Sequence, residues 1–431
     1  MGRIVALGPG PRFKGGIANY NTSLAKAFDR YPEEEVHIVS WTQQYPSIVP
    51  RDYIDRKSRE DKLAGTRIST HYLLNYNRPS AWLRTVRRIA ELEPDLVVIQ
   101  WAIAIQGIPL RYVARKLRKK GIRVIFDLHF VIQKENSRLD QILTRRCIRF
   151  SDAYITHSLK TFRELKELLP GRPFHLLTPS AGRPVKEQDT PVVPVLKLYH
   201  PVYDMFKKDP SFDREAFKQS LGLGEHVFLF FGFIRKYKGL HHVIEAFRIL
   251  SDKREDVSLL VVGELFWETL DRRKLSTRIK NALFGAAKRI FLSRQDDERN
   301  YRPLELIQKY GLDDRVTAIT EFVPNEEVHR YFQVSDAITL FYLTATPSGV
   351  ESMAYNFGTP ILATRVGHFP ETIRHGFNGY LADPGDPESM AAVMEAAIES
   401  PIPPENVYAT SSEMSWKNYA SSILALKEEF H

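Results

Sequence analysis

Residues Phe230–Leu240 read FFGFIRKYKGL. An apolar run, Val227–Phe231, meets Gly232 and then a turn bearing Arg235, Lys236 and Lys238. Gly239 opens a pattern that puts Leu240, Val243, Ile244 and Phe247 on one helical face. A strand that ends in a glycine turn and starts a helix is a phosphate cradle. Backbone N–H groups and the positive helix end attract the anion, while Arg and Lys add full charge. The cradle lies mid-chain, so a nucleotide-sized anion is expected on the second half of a two-domain protein.

Three further segments carry chemistry. Gly8–Tyr20, GPGPRFKGGIANY, follows an apolar run and leads into a helix at Gly15-Gly16. Paired glycines let the backbone approach a ligand closely, and Lys14 adds charge. The spacing is neither a Walker loop nor a dinucleotide fingerprint, and an ordinary strand–helix turn fits equally. His129 directly follows the apolar run Val124–Leu128, which places it at a strand's carboxyl end. There it is suited to bonding a substrate hydroxyl or moving a proton, and equally to bonding nearby backbone. In Tyr342–Ile373, Pro347-Ser348-Gly349 precedes a helix starting near Val350. The exposed amides of Ser348, Gly349 and Val350 make a second anion site, with Ser348 also reading as an N-cap.

The elements that must position these residues alternate along the whole chain. Apolar runs at Ile4–Leu7, Val36–Ser40, Leu96–Trp101, Val124–Leu128 and Ala153–Thr156 read as strands. So do Val227–Phe231, Leu259–Val262, Val316–Ile319, Ala337–Tyr342 and Ile361–Thr364. Helical patterns such as Ile17–Phe28, Leu83–Leu92, Leu110–Lys119 and Ser158–Leu168 separate them. Buried strands alternating with amphipathic helices predict parallel sheets covered on both faces. The expected fold class is α/β, with two doubly wound Rossmann-like domains facing a cleft and ligands at the strands' carboxyl ends. Five prolines between Gly171 and Pro194 mark an interdomain segment, with a hinge near 185–205. The expected divisions are 1–190, 191–405 and a helical tail, 406–431, crossing back to the first domain.

Composition narrows the partners. At 431 residues the chain is too long for one ordinary core. Lys and Arg exceed Asp and Glu by nine, 61 against 52, which favours an anionic partner or merely good solubility. No nucleic-acid-binding motif accompanies the charge, so no nucleic acid is expected. The single Cys147 excludes an internal disulfide and a thiolate cluster. No signal pattern or membrane-spanning run is seen, so a cytoplasmic protein is expected. Within 263–301, Leu275, Ile279, Leu283, Ala286 and Ile290 fall at helical spacing among Arg272, Arg273, Lys274, Lys280, Lys288 and Arg289. Such a helix packs on its own domain or rests on an anionic membrane, which would make the protein peripheral at the inner membrane face.

Together these segments resemble the retaining, family-4-like glycosyltransferases of the GT-B fold. The matching pieces are KGGIANY, His129 after FDL, His200-Pro201, FGFIRKYKG, and Phe357–Asp386, FGTPILATRVGHFPETIRHGFNGYLADPGD. The resemblance implies a nucleoside diphosphate sugar as co-substrate, with no metal or other cofactor, and no DxD motif follows a strand. It implies that Arg235 and Lys238 take the diphosphate, with Gly232 and the amides of Ser348–Val350 beside it. Gly15 and Gly16 would approach the donor, His129 would contact the transferring sugar, the loop Glu321–Pro324 with Val323 would border the base, and Gly263-Glu264 would lie nearby. The implied acceptor is a glycan or a lipid-linked hydroxyl, with Tyr45, Tyr72 and Trp101 as candidate platforms or ordinary packing residues. Two departures stand out. Phe233 occupies the place where many members carry arginine, and Ala345 and Met353 occupy the places of a spaced glutamate pair. Glu351 lies two residues from the second place, roughly 200° around a helix, so either the helix start is shifted or Ser348-Gly349 substitutes for the pair, with Glu351 as a donor-site member. A sugar-nucleotide epimerase and a non-catalytic nucleotide-sugar-binding protein stay open as alternatives.

Overall fold

The computed structural model describes residues 2–46, 53–56, 58, 61–132, 138–178, 192–265 and 301–430. They fall into two units: 2–199 with 415–430, and the rest of 200–414. The first holds strands β1 (Gly2–Leu7), β2 (Glu34–Gln43), β3 (Ser69–Asn75), β4 (Leu96–Trp101), β5 (Arg123–Leu128), β6 (Ala153–Thr156), β7 (Phe174–Leu177) and β8 (Val193–Lys197). They form one parallel sheet in the order β3-β2-β1-β4-β5-β6-β8-β7. The central strand β4, LVVIQW, is buried along its whole length, as a strand covered on both faces must be. Helices Gly16–Asp29, Pro79–Glu91, Gly107–Arg118, Arg138–Ile148 and Leu159–Leu168 alternate with the strands.

The second unit holds β9 (His226–Phe231), β10 (Val257–Val262), β11 (Val316–Ile319), β12 (Ala337–Leu340), β13 (Ile361–Thr364) and β14 (Gly379–Ala382). These are also parallel, in the order β11-β10-β9-β12-β13-β14. Each unit is therefore a doubly wound α/β fold. Strand order reverses between β1 and β4 in one sheet and between β9 and β12 in the other. Crevices at such switch points are where open α/β sheets bind ligands. The glycine loop follows β1 and the FGFIRKYKG cradle follows β9, so both chemical segments stand at a switch point.

Three boundaries differ from expectation. The division lies at 199/200 rather than 190/191, because β8 still pairs with β6 and β7 of the first sheet. The tail is two helices, not one: Pro404–Glu413 belongs to the second unit and Trp416–Glu429 to the first. The strand expected at Ala337–Tyr342 ends at Leu340. The basic stretch from Arg272 to Ile290 lies outside the described residues. Among those described, no helix is long and apolar enough to cross a membrane.

Candidate functional site

In the second unit the cradle is built by backbone geometry. Gly232 has φ 92° and Gly239 has φ 68°, both in the left-handed region. A Cβ on Gly239 would lie 2.0 Å from the Phe341 carbonyl oxygen, and one on Gly263 would lie 2.1 Å from that of Gly232. Only glycine allows these loops to close on one another. Ile234 N–H donates to the Glu264 carbonyl at 3.0 Å, so Glu264 holds the cradle through its backbone. Val323 sits half-buried in the loop after β11, at the same carboxyl edge.

Lys238 is the central group. Its side chain is 7% exposed, and its Nζ donates to the Phe231 carbonyl at 3.4 Å. Among the described residues it pairs with no carboxylate. Burial and then the nearby Arg235 charge push its pKa down from 10.5 to about 7. Nζ lies 2.9 Å from where a Gly232 Cβ would stand, and Val350 Cγ2 lies 3.4 Å from the same point. Gly232, Lys238 and Val350 are thus brought together, as the sequence predicts. A buried ammonium without a counter-ion costs several kcal/mol, and an anion in this crevice removes that cost. Arg235 is half-buried in the same turn, its guanidinium 5.1 Å from the centre of the Tyr237 ring.

The second anion site is the start of helix Gly349–Phe357. Ser348 Oγ accepts from Val350 N–H at 3.3 Å, a capping bond. The Gly349 amide makes no hydrogen bond among the described residues. Glycine is required here by space, because a Cβ would lie 2.6 Å from the Tyr203 ring. His200, of the His-Pro pair, binds the same helix through Ser352 Oγ at 2.7 Å.

Glu351 departs from its expected role. Its carboxylate is buried and accepts from Thr372 Oγ1 at 2.5 Å and Tyr355 Oη at 3.4 Å, and it pairs with His368. These partners turn it into the unit, away from a ligand on the amides. The helix starts at Gly349, so no shifted start brings Glu351 to the place held by Met353. Ala345 and Met353 are themselves buried apolar residues.

In the first unit Gly15 has φ 100°, and a Cβ there would meet nothing within 4 Å. Gly16 is exposed at the first turn of helix Gly16–Asp29. His129 follows β5 as expected, but it is only 6% exposed and belongs to a polar cluster the sequence did not reveal. His129 Nε2 lies 2.7 Å from Gln100 Oε1, so with that oxygen as acceptor the ring carries its proton on Nε2. Burial pushes its pKa down to about 4, against the pull of Asp127. Asp127 Oδ2 accepts from Tyr20 at 2.9 Å and Tyr419 at 3.2 Å, and Oδ1 from His157 at 2.9 Å. Burial alone would raise this carboxyl, but His157, His129 and Tyr20 outweigh it and hold it low. The signal available in the sequence was an aspartate inside the otherwise apolar strand VIFDL. Trp101 is fully buried in the core and so is no platform, while Tyr72 is half-buried under the Arg12 guanidinium, 3.8 Å from its ring centre.

Asp127, His129 and His157 present ligand-type atoms within 4.8 Å of one another, a set with metal-binding composition. Asp127 is already engaged by two tyrosines and a histidine, and His129 by Gln100.

Residues 211–420 match the family of glycosyl transferases group 1, and residues 14–176 match glycosyltransferase family 4. Spore coat protein SA of Bacillus subtilis is 25% identical over 242 residues, 54% of this chain and 56% of that protein. Mannosylfructose-phosphate synthase of Agrobacterium fabrum is 25% identical over 288 residues, 64% of this chain and 55% of that one. The chain thus spans about half the length of these curated relatives. Among solved structures, Anabaena HepE in complex with UDP and glucose aligns over 100% of both chains with TM-score 0.67 and 16% identity. Sucrose-phosphate synthase of Thermosynechococcus elongatus aligns over 100% of this chain and 99% of its own, with TM-score 0.64 and 15% identity. At these identities the structures share the fold.

Proposed function

From the premise that this chain belongs to the family-4-like glycosyltransferases of the GT-B fold, we propose that it transfers a sugar from a nucleoside diphosphate sugar to an acceptor hydroxyl, with retention. The observation that carries the reading is Lys238. It is a buried lysine with no carboxylate partner among the described residues, set between a glycine turn and a helix start. Sugar transfer puts negative charge on the departing diphosphate. Lys238, protonated as the anion binds, and Arg235 supply positive charge for it and the Gly349 amide a hydrogen bond, so this reading calls for no metal. The neutral His129 ring suits bonding a sugar hydroxyl better than donating a proton, given a pKa of about 4. A solved structure of the same fold holds UDP and glucose, which makes a uridine donor the first to test. The acceptor is a hydroxyl of a glycan or of a lipid-linked carrier.

The test is a thermal-shift screen with UDP-, GDP-, ADP- and CMP-sugars. A ligand at a hundred times its Kd stabilises by about 2.7 kcal/mol. One nucleotide sugar should raise Tm, and Arg235→Ala and Lys238→Ala should each abolish the rise. Incubation with that donor should then yield free nucleoside diphosphate, and NMR of the product should show a retained linkage. No shift with any nucleotide sugar would sink the reading. Binding without turnover across an acceptor panel would favour the non-catalytic alternative, which the buried apolar Ala345 and Met353 motivate.

A further inference from the structure

We propose that the first unit carries a membrane-docking surface on two neighbouring helices, fitted to a bilayer rich in acidic lipid. The described residues include few large exposed apolar side chains, and four of them fall in one neighbourhood. Ile105 and Ile108 are 42% and 56% exposed, at the turn Ala104–Gln106 and the start of helix Gly107–Arg118. Leu139 and Ile142 are 44% and 46% exposed, in the first turns of helix Arg138–Ile148. The two helices pack together. A Cβ on Gly107 would lie 3.5 Å from the Leu143 carbonyl oxygen and 3.7 Å from Cys147 Cβ. Each pair is spaced three residues apart, so each projects from one face. Solvent-exposed clusters of this kind mark contact surfaces.

Charge selects the partner. At helical spacing from these apolar residues, Ile108 is followed by Arg115 and Lys119, and Leu139 and Ile142 by Arg146 and Arg149. Residues 107–120 carry Arg111, Arg115, Lys116, Arg118, Lys119 and Lys120 and no acid. Residues 138–149 carry Arg138, Arg145, Arg146 and Arg149 against Asp140 alone. Arg115, Arg145 and Arg146 are exposed and make no ion pair among the described residues. An apolar tip with a cationic flank is the arrangement that inserts at a headgroup boundary while its charges meet acidic lipids. A soluble apolar partner would leave these cations unmatched.

The surface also has a position. Both helix starts follow the carboxyl ends of β4 and β5, the edge of the sheet that bears His129. Docking there would bring a lipid-linked acceptor to the His129 edge of the unit. This consequence rests on the transfer reading, while the surface itself does not.

The experiment is sedimentation of the full chain with vesicles of phosphatidylcholine, alone or with a third replaced by phosphatidylglycerol. The chain should pellet with the acidic vesicles only. Arg115→Gln/Arg145→Gln/Arg146→Gln should weaken partitioning by about a hundredfold, and Ile108→Ser/Ile142→Ser by about tenfold. Both variants should keep the wild-type nucleotide thermal shift. Equal pelleting with neutral vesicles, or variants that pellet like wild type, would overturn the proposal, the latter placing any anchor elsewhere, such as 263–301. A dimer in sedimentation velocity that Ile108→Ser/Ile142→Ser dissolves would overturn it too, by making the face a contact between copies. Vesicle binding without any nucleotide shift would sink the transfer reading and leave the surface standing.

Discussion

Binding of a nucleoside diphosphate should draw a proton onto Lys238. In the free protein, burial and Arg235 lower its pKa to about 7. A diphosphate beside Nζ favours the charged form and should return the pKa toward the ordinary lysine range. The sign follows from linkage. The bound state holds more protons than the free state above pH 7, so affinity falls as pH rises. With a free pKa of about 7, roughly three quarters of a proton is taken up on binding at pH 7.5. Between pH 7.5 and 8.5 the dissociation constant should rise about eightfold, or ~1.2 kcal/mol. The phosphate's own second ionisation, near pH 6, is essentially complete across that window. Titration calorimetry in buffers of different ionisation heat reads the uptake directly. Lys238→Met should bind weakly with no uptake and no pH slope. Zero uptake with a flat affinity in the wild-type chain would refute the reasoning. It would mean that the ammonium is charged before binding, or that the anion lies elsewhere.

Three other outcomes are expected. Gly232→Ala places a Cβ 2.9 Å from Lys238 Nζ at φ 92°, so calorimetry should show at least tenfold weaker diphosphate binding with Tm lowered as well. Glu351→Ala leaves His368 and Thr372 without their buried acceptor. Urea unfolding should show a loss of about 3 kcal/mol, whereas Glu351→Ala on a donor-contacting side chain would weaken nucleotide binding without destabilising the fold. His129→Ala should keep the nucleotide thermal shift while donor turnover falls. Because the wild-type ring has a pKa of about 4, the pH–rate profile should show no histidine limb between about pH 5.5 and 8.

The cradle was legible because every residue in it is local. A six-residue apolar strand, a glycine turn with its cations and a helical stripe lie within one stretch of chain. Strand order was not legible, since no local pattern says that β4 rather than β2 follows β1 on one side. The polar edge strand β3, β8 with its Pro194 and the four-residue β14 were missed because each lacks the apolar run of a central strand. The Asp127 cluster was hidden by distance along the chain, its partners being 30, 107 and 292 residues away. The sequence placed Glu351 near the ligand from its neighbours on the helix. Its true partners, His368 and Thr372, lie in the FGTPILATRVGHFPETI tail and were read only as part of a family pattern.

The two hidden carboxylates have a common physical role. Asp127 is bonded by Tyr20 from the helix that Gly15 and Gly16 open, and by Tyr419 from the returning helix Trp416–Glu429. Glu351 sits in the helix that Ser348 and Gly349 open, and is bonded by His368 and Thr372 from the segment after β13. In each unit, then, a helix that starts at the carboxyl edge of the sheet is bonded from behind by a buried acid. An amide site on a helix start gains affinity only if its N–H groups already point at the anion, because ordering them on binding would consume the gain. Buried, fully bonded carboxylates supply that order before the ligand arrives, and a helix shift would strand a charge in the interior at several kcal/mol. On the proposed function, the acid nearest the Ser348–Val350 amides lies behind their helix, bonded by Thr372 and His368, and Glu351→Ala is the substitution that separates fixing the amides from touching the donor.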